Sequence, residues 1–446
     1  MVLVVAVVLG LSFLSSCSAA AVTTQTQLIT VVAVVATTVA VANKIHTTSK
    51  RRLKSRLLFF LTNTKNNVRI QVTKRLLVGG VIILALEHYK NLHKIPEVSE
   101  KEFETSKYIY NTLSDIGYSP IVVGDTGVYA DLITDKKLPW LLFRADIDAL
   151  PINEDSGLSY ASQNEGVMHA CGHDAHSAML LAAARELYGK DLPYNIRFVF
   201  QPAEETTTGA AKIINTVIPN NLIACFAMHV WPSVPFGQVA TKRGALMASS
   251  DFLKLKFYGK SSHCSCQEKG NNALLSAVDM VSAFTDINKA ATDNKAMLFC
   301  GSIHSGHLHN IVPDYSEIYG TIRTYSVEHR EGIKALIEKT AHNIANKYGT
   351  CPDITYDGGC PPVYNNEKLV SALANNFGVQ DNATSTLAGE DFALFGDYAP
   401  SCMLWLGIGD IPPLHNEKFF VPTDVLPIGT NLWLKIANYN WEDELS

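Results

Sequence analysis

The stretch Ile196–Glu205, which reads I-R-F-V-F-Q-P-A-E-E, is a short apolar run that ends in two adjacent carboxylates. Three further apolar runs are each followed by potential ligands: Leu138–Phe143 by Asp146 and Asp148, Ile223–Met228 by His229, and Cys402–Leu406 by a loop that contains His415. Continuous apolar runs of this length are typical of strands buried on both faces, as in a parallel sheet covered by helices. Such sheets bind their ligands beyond the carboxyl ends of the strands. We therefore predict an α/β fold with a mostly parallel central sheet and a functional site at that edge.

Residues 168–176, M-H-A-C-G-H-D-A-H, place three histidines, a cysteine and an aspartate at the start of an apolar helix predicted over Asp174–Leu187. Cysteine, histidine and carboxylate side chains are common ligands of Zn²⁺. A helix N-terminus is expected to lower the pKa of Cys171, and the thiolate is the form that binds metal. The alternative is a buried cysteine beside a capping histidine, but the carboxylates after the neighbouring runs favour a metal site.

Three histidines so close in sequence cannot all bind metal here without strain. We predict Cys171 and His173 as ligands, and His169 and His176 as residues that support the ligands or face the substrate. The chain has nine cysteines, an odd number, without paired spacing, which argues against a disulfide framework.

Glu204 and Glu205 are adjacent, so they must lie on a turn if both act, and Pro202 favours a turn. One carboxylate can bind a metal while the other takes a proton from an activated water and passes it to the leaving nitrogen. A Glu-Glu pair is more often a solvated acidic surface. Its position after a buried strand favours the chemical role, and the pattern therefore indicates a metallohydrolase.

The region Ala248–Asp357 has a different pattern. A strand with one exposed face is predicted at Phe252–Phe257, another at Ile318–Thr324, and helices at Ala273–Ile287 and Glu328–Tyr348. These elements favour a small α/β sandwich with an antiparallel sheet, inserted into the larger domain because the run at Cys402 lies beyond it. The predicted organisation is a leader at 1–83, a catalytic domain in two parts at 84–247 and 358–446, and an inserted domain at 248–357.

Charge separates the beginning of the chain from the rest. The net charge is −5, but ten Lys or Arg and no Asp or Glu precede Glu87. From Glu87 onward the chain has 27 basic and 42 acidic residues, which gives a net charge of about −15. An acidic body argues against nucleic acid as a partner.

Residues 1–42 contain no charged side chain and carry two apolar runs, followed by a basic run at Lys50–Arg56. Such a segment is typical of an export signal or a membrane anchor. We predict a protein of the secretory pathway or one anchored to a membrane through residues 1–42. An acid-poor leader with Ser and Thr is also compatible with organelle targeting, and a wrongly assigned start is a third alternative.

Eight short segments occur in an order that resembles one family. They are L-H-K-I-P-E (92–97), R-A-D-I-D-A-L-P (144–151), M-H-A-C-G-H-D-A-H (168–176), F-Q-P-A-E-E (200–205), A-M-H-V (227–230), G-T-I-R (320–323), G-E-D-F (389–392) and L-H (414–415). Together they resemble the aminoacylase and hippurate hydrolase type of metallo-amidohydrolase, which includes plant auxin-conjugate hydrolases and N-acetyldiaminopimelate deacetylase. The resemblance covers about residues 86–436. It implies a zinc-peptidase-like catalytic domain with an inserted α+β lid that also forms a homodimer.

The resemblance also implies a metal centre with defined roles. It assigns two divalent ions, Zn²⁺ or Mn²⁺, to a shared Cys171 thiolate and four further ligands, which are His173, Glu205, His229 and His415. Glu204 becomes the general base, and Asp146 and Asp148 support the ligands. Cysteine and imidazole favour zinc, whereas the resemblance allows manganese equally.

Three residues of the inserted domain resemble residues that bind the substrate. His263 resembles a lid histidine that reaches a partner subunit's active site and stabilises the oxyanion. Asn310 and Arg323 resemble residues that hold the substrate's carboxylate, a task suited to a guanidinium group. One departure is Gln267, where the family usually has a proline, and it bears on the geometry of the lid.

These observations predict metal-dependent hydrolysis of the amide bond of N-acyl amino acids. A dipeptidase or carboxypeptidase on the same machinery is the nearest alternative. An alternative of another class is a membrane-tethered protein that binds metal or ligand without turnover, against which the retention of Glu204 beside Glu205 argues.

Overall fold

The computed structural model describes residues 83–290 and 296–445. The predicted leader, with its apolar runs and basic run, lies outside the described residues apart from residue 83. No helix among the described residues combines the length and the apolar character needed to cross a bilayer.

Helices and strands alternate along most of the described chain. The helices are α1 (83–93), α2 (Phe103–Ile116), α3 (His173–Leu187), α4 (Gly209–Val217), α5 (Ala273–Ala290), α6 (Val327–Tyr348), α7 (Glu367–Phe377), α8 (Leu426–Asn438) and α9 (Glu442–Leu445). The strands are β1 (Ile121–Val123), β2 (Gly127–Leu132), β3 (Trp140–Asp146), β4 (Asn195–Gln201), β5 (Leu222–Trp231), β6 (Val239–Ala240), β7 (Gly244–Met247), β8 (Asp251–Tyr258), β9 (Ser262–His263), β10 (Ala296–Ser305), β11 (Ile311–Val312), β12 (Tyr315–Thr324), β13 (Cys351–Tyr356), β14 (Val363–Asn365) and β15 (Ser401–Gly407).

The central sheet has seven strands in the order β1-β2-β4-β3-β5-β15-β6. Its four middle strands, β4, β3, β5 and β15, run parallel to one another, and β2 and β6 pair antiparallel at either side. These four strands contain the four apolar runs, so the prediction of a mostly parallel sheet is confirmed. The hairpin of β1 and β2 was not predicted.

Both faces of the central sheet are covered by helices, which explains why its strands are continuously apolar. Along β3, Leu141 and Phe143 pack into the core beneath α3 and α8, whereas Leu142 packs into a second core beneath α4. The indole of Trp433 on α8 lies 4.8 Å from the Phe143 ring, measured between centroids. The strands that end at the carboxyl edge are therefore held in place by close packing on both faces of the sheet.

Gly172 fixes where α3 begins. Its φ is +88°, a left-handed conformation that L side chains rarely adopt, and a Cβ there would lie 2.5 Å from Cγ2 of Val230. Only glycine allows this close approach of the helix to the end of β5. The approach places Cys171 and His173 against the carboxyl edge of the sheet.

A second sheet, in the order β10-β12-β8-β13, is wholly antiparallel and lies within residues 251–356. One of its faces packs against α5 and α6 through a core that includes Leu255, Ile318 and Ile337. The strands and helices predicted in this region are confirmed to within a few residues, while the domain boundaries stay predictions. The position of β10 was not predicted, because Leu298 is its only buried residue and a bulge interrupts its pairing between Cys300 and Ser302.

Candidate metal centre

The five predicted ligands meet at the carboxyl edge of the central sheet. Cys171 and His173 lie at the start of α3, Glu205 follows β4, His229 lies near the end of β5, and His415 lies in the loop after β15. Their ligand atoms fall into overlapping groups whose members are within 4.8 Å of one another: Cys171, His173 and His229; Cys171, Glu205 and His415; and His173, Glu204 and Glu205. Residues up to 244 positions apart in sequence thus form one cluster.

Hydrogen bonds orient the two buried histidine ligands. Nδ1 of His173 lies 2.9 Å from the carbonyl oxygen of Asp148, and Nδ1 of His229 lies 2.6 Å from the carbonyl oxygen of Val230. A carbonyl only accepts, so in the neutral form of each ring Nδ1 carries the proton and Nε2 has the lone pair that a metal can take. Both Nε2 atoms face the cluster, and that of His229 lies 3.4 Å from Sγ of Cys171.

The cluster contains buried polar atoms that no group of the described chain satisfies. Nε2 of His173 and Oε1 of Glu205 have no hydrogen-bond partner, although they lie 3.9 Å apart. Despite burial, Asp146, Asp148 and Glu205 raise the pKa of His173 to about 10, because the pocket has more negative than positive charge. Burial is the main cause that raises the pKa of Glu205 to about 7. A divalent cation would satisfy the free atoms and supply the missing charge, so these residues fit a metal.

The expectation that the helix N-terminus lowers the pKa of Cys171 is wrong for the protein without a bound cation. Burial, with Glu205 and Glu204 close by, raises the pKa of this thiol well above its usual value. Desolvation and nearby negative charge both disfavour a thiolate, and together they outweigh the helix dipole. The thiolate therefore depends on a bound cation.

Glu204 is buried beside the cluster, with Oε2 3.9 Å from Nε2 of His173. Burial and the neighbouring carboxylates of Glu390 and Glu205 raise its pKa well above the usual range. A carboxyl group with raised proton affinity is suited to accept a proton and return it. Glu204 lies on the predicted turn, in which Ala203 has a φ of +51°.

Two buried carboxylates hold the turn that carries Glu204 and Glu205. The sequence analysis did not predict one of them. Asp148 accepts from the hydroxyl of Ser99 and from the backbone N–H of Glu205, at 2.7 and 3.0 Å. Glu102, for which no role was predicted, accepts from the backbone N–H of Ala203 at 2.8 Å. The turn that carries the glutamate pair is thus held at both ends by carboxylates from other elements.

A buried guanidinium group behind the cluster was also missed. Arg144 on β3 is 1% exposed and donates to Asp146 at 2.7 Å, to Glu390 at 2.9 Å and to Asp391 at 3.1 Å. Its Nε donates to Gln201 at 2.9 Å. The signal in the sequence was a single arginine inside a strand otherwise buried on both faces, because such a charge requires partners.

His176 has both ring nitrogens engaged. Its Nε2 accepts from the backbone N–H of Val230 at 2.8 Å, so the proton lies on Nδ1, which donates to Asp146 at 2.6 Å. The ring links Asp146 to the strand that carries His229. In this arrangement it has no lone pair left for a metal.

We expect His176→Leu to keep the metal stoichiometry of the native protein and to lower its free energy of unfolding by about 2–4 kcal/mol, because a buried N–H and a buried carboxylate oxygen lose their partners. The control is His173→Leu, which should lose metal. Metal content by mass spectrometry and urea unfolding measure the two effects. Loss of metal from His176→Leu at saturating metal concentration would show instead that His176 is a ligand.

His169 is buried but stands apart from the metal cluster. Neither of its ring nitrogens has a partner among the described residues, and its ring centroid lies 6.5 Å from that of His93. His93 in turn pairs with Asp174 at 2.6 Å and with Glu154 at 3.1 Å. His169 therefore lies near His93, which pairs with Asp174 in the first turn of α3.

The three residues predicted in the inserted region fall in different places. Arg323 lines the same cavity of about 240 Å³ as Cys171, Glu204 and His415. His263 is exposed on β9 and Asn310 directly precedes β11, which pairs with β9. Neither His263 nor Asn310 lines the metal cavity of its own chain.

Comparisons with known proteins show which family the sequence matches. Residues 142–439 match the model of a family described as Peptidase family M20/M25/M40. The chain is 34% identical over 343 residues to an N-acetyl-L-cysteine deacetylase of Bacillus subtilis, covering 74% of this chain and 82% of that protein. It is 34% identical over 357 residues to thermostable carboxypeptidase 1 of Saccharolobus solfataricus, covering 76% of this chain and 91% of that protein.

Solved structures share the fold. The YXEP protein of Bacillus subtilis, described as a dinuclear metal-binding peptidase from the M20 family, superposes with a TM-score of 0.70 at 30% identity. The match covers 80% of this chain and 97% of that one. The fold is therefore that of this family, and one solved protein that shares it is described as binding two metal ions.

Proposed function

The chain belongs to the M20/M25/M40 peptidase family, and from that premise we propose that it hydrolyses the amide bond of N-acyl amino acids at a centre of two divalent metal ions. One observation carries the proposal. Partnerless ligand atoms of His173 and Glu205 lie beside Glu204, a buried carboxyl with raised proton affinity, in a cavity that Arg323 also lines. The relatives named as deacetylases of N-acyl amino acids support the reaction class.

The residues that would hold the ions are Cys171, whose thiol belongs to two of the ligand groups, with His173, Glu205, His229 and His415. When bound, the ions would polarise a water and the acyl carbonyl. The mixture of thiolate, imidazole and carboxylate ligands favours Zn²⁺ on grounds of softness, with Mn²⁺ as the alternative. Asp148 and Asp146 hold His173 and His176 through ring nitrogens.

Glu204 takes a proton from the attacking water and delivers it to the amine nitrogen as the amide bond breaks. Arg323, half-buried at the edge of the cavity, pairs with the carboxylate of the amino acid. Its guanidinium group is held in place, because its Nη1 donates to the Thr321 hydroxyl at 2.6 Å. The cavity thus has a proton acceptor and a carboxylate site.

His263 and Asn310 are proposed to act in a homodimer. Both lie on the inserted region outside the cavity of their own chain, with the Asn310 carbonyl accepting from the Cys264 N–H at 3.0 Å. A second copy that presents this face to the cavity would bring an imidazole to the oxyanion. Gln267, in the short helix after His263, would influence how this face meets the second copy.

The leader remains a separate proposal. Residues 1–83 are proposed to direct the chain to the secretory pathway or to anchor it in a membrane, with organelle targeting as the alternative. A reporter fused after residue 83 distinguishes them by its location in cells.

The proposed function predicts a strict metal requirement. We expect a chelator to reduce hydrolysis of N-acetyl and N-benzoyl amino acids to the background rate, and Zn²⁺ or Mn²⁺ to restore it, because the proposed reaction needs a divalent ion to activate the attacking water. The assay also includes dipeptides, because one relative is named as a carboxypeptidase and peptidase activity is the alternative function. Hydrolysis of dipeptides alone would establish a peptidase. Stoichiometric metal binding without turnover of either class would establish a binding protein.

A further inference from the structure

Thr207 is a β-branched residue with a left-handed backbone. Its φ is +54°, a conformation that β-branched residues rarely adopt because the Cβ crowds the backbone. Its N–H donates to the Glu204 carbonyl at 2.7 Å, so this conformation closes the turn that carries the glutamate pair. Strained backbone of this kind is found mostly at functional sites. Glycine would close the same turn without strain, so the turn alone does not require a threonine.

The hydroxyl group of Thr207 is buried at the wall of the metal cavity. Thr207 lines this cavity and is 8% exposed. Its Oγ1 has no hydrogen-bond partner among the described residues. A buried hydroxyl without a hydrogen bond is unfavourable, and such groups are rare in folded proteins. A ligand in the cavity would supply the partner that this hydroxyl lacks.

The two flanking threonines differ from Thr207. The hydroxyl groups of Thr206 and Thr208 lie 2.9 Å apart and bond to each other, and Thr208 also donates to Glu100 at 3.2 Å. Neither Thr206 nor Thr208 lines the metal cavity. Of these three consecutive hydroxyl groups, the middle one alone lies at the cavity and lacks a partner in the chain.

Thr207 lies near the side of the cavity that the inserted region forms. A Cβ on Gly358 would lie 4.0 Å from Oγ1 of Thr207 and 3.7 Å from Cδ2 of Phe252. Phe252 on β8 is paired with Thr321 on β12, so their side chains share one face of the second sheet, and Arg323, two residues along β12, shares that face. Phe252 and Arg323 both line the metal cavity. The Thr207 hydroxyl is therefore close to the sheet face that carries Arg323.

A carboxylate at Arg323 would have room for a further donor. An ionised carboxylate has about four acceptor positions. Nη1 of Arg323 already donates to the Thr321 hydroxyl at 2.6 Å and to the Ile322 carbonyl at 3.2 Å, so part of the guanidinium group is engaged within the chain. A hydroxyl can donate to a carboxylate, and such charge-assisted hydrogen bonds are stronger than neutral ones.

From these observations we propose that Thr207 is a substrate-binding residue whose hydroxyl donates a hydrogen bond to the carboxylate of the N-acyl amino acid. The assignment rests on the proposed function, because it takes the amide bond to lie at the metal centre and the carboxylate to face Arg323. It goes beyond that function by adding a residue that selects substrates with a free carboxylate. The backbone strain at Thr207 then accompanies the placement of a hydroxyl where the turn alone would favour glycine.

The test compares Thr207→Val, which removes the hydroxyl but keeps the branched shape, with Thr207→Ser, which keeps the hydroxyl. Thr206→Val is the matched control, because it makes the same substitution one position along the turn, at an exposed residue outside the cavity. The kcat and KM for N-acetylalanine are measured with the full-length, metal-loaded proteins, together with their metal content and melting temperature. N-acetylalaninamide, used as a substrate or as a competitive inhibitor, reports whether the contact is made to the carboxylate.

We expect Thr207→Val to lower kcat/KM for N-acetylalanine by about ten- to a hundredfold, mainly through KM, because a hydrogen bond to a charged group is lost from the substrate and the transition state alike. Thr207→Ser and Thr206→Val should stay within about threefold of the native value. For N-acetylalaninamide, Thr207→Val and the native protein should differ by at most about threefold, because the bond to a neutral group is weaker. Metal content and melting temperature should not fall in any variant.

An equal loss in Thr206→Val, no recovery in Thr207→Ser, or loss of metal from Thr207→Val would each indicate a structural role in the turn and overturn the proposal. An equal loss for the acid and the amide would exclude the carboxylate as the partner. Native kinetics of Thr207→Val on N-acetylalanine would overturn this inference while the proposed function stands. If the native protein hydrolyses no N-acyl amino acid, the proposed function fails and this inference fails with it.

Discussion

Glu204→Gln is expected to lower kcat for N-acyl amino acids by about 10²- to 10⁴-fold, because the amide has the size of the carboxylate but cannot accept the proton of the attacking water. The fold should not suffer. Glu204 is buried among Glu390, Glu205 and Asp391, which raise its pKa. A neutral side chain relieves that repulsion, so the melting temperature should equal or exceed that of the native protein.

The neighbouring residue gives a matched control. Glu205→Gln makes the same substitution one position along the chain, but it removes a carboxylate whose Oε1 lacks a partner and whose Oε2 lies 3.4 Å from Nε2 of His415. We expect this variant to lose metal, whereas Glu204→Gln keeps the native stoichiometry. Metal analysis and steady-state kinetics on both proteins separate proton transfer from metal binding. More than a tenth of native kcat in Glu204→Gln would rule out Glu204 as the general base.

The sequence predicted the central sheet because its strands are continuous apolar runs, and three of the proposed ligands, Glu205, His229 and His415, follow such runs. Strands buried on both faces leave an unbroken hydrophobic signal, and parallel strands bring their carboxyl ends to one edge. His229 and His415 could therefore be placed near Glu205 without any local motif. The position of β10 was not predictable in this way, since it is an edge strand in which only Leu298 is buried.

What the sequence could not predict is how charges are distributed among residues that meet only in the folded chain. Cys171 lies next to a helix N-terminus in sequence, but burial, together with carboxylates from distant elements, raises its pKa. Arg144 and Asp391 are 247 positions apart, and neither position alone indicates the other. His263 is likewise exposed outside the cavity of its own chain, on β9, which pairs with β11.

Arg144→Met is expected to lower the free energy of unfolding of the metal-free protein by about 3–5 kcal/mol. The methionine fills much of the same volume, so the loss reflects charge. Asp146, Glu390 and Asp391 contact the guanidinium group within 3.1 Å and would be left buried without their cation. Urea unfolding measures the effect. Arg197→Met is the control. Arg197 forms a bidentate, partly exposed salt bridge with Asp131, which should contribute about 1 kcal/mol or less to the free energy of unfolding.

The loss in Arg144→Met should also depend on pH. Arg144 lowers the pKa values of Glu390 and Asp391, which burial raises, so its removal shifts both further upward in the folded state. A carboxyl group whose pKa is higher in the folded state than in the unfolded state binds a proton more tightly when folded, so folding is favoured as pH falls. The gap in stability between Arg144→Met and the native protein should therefore shrink between pH 7 and pH 5, and Glu390→Gln added to Arg144→Met should recover part of it at pH 7. A gap that is independent of pH and equal to that of Arg197→Met would mean that the buried guanidinium group contributes only packing.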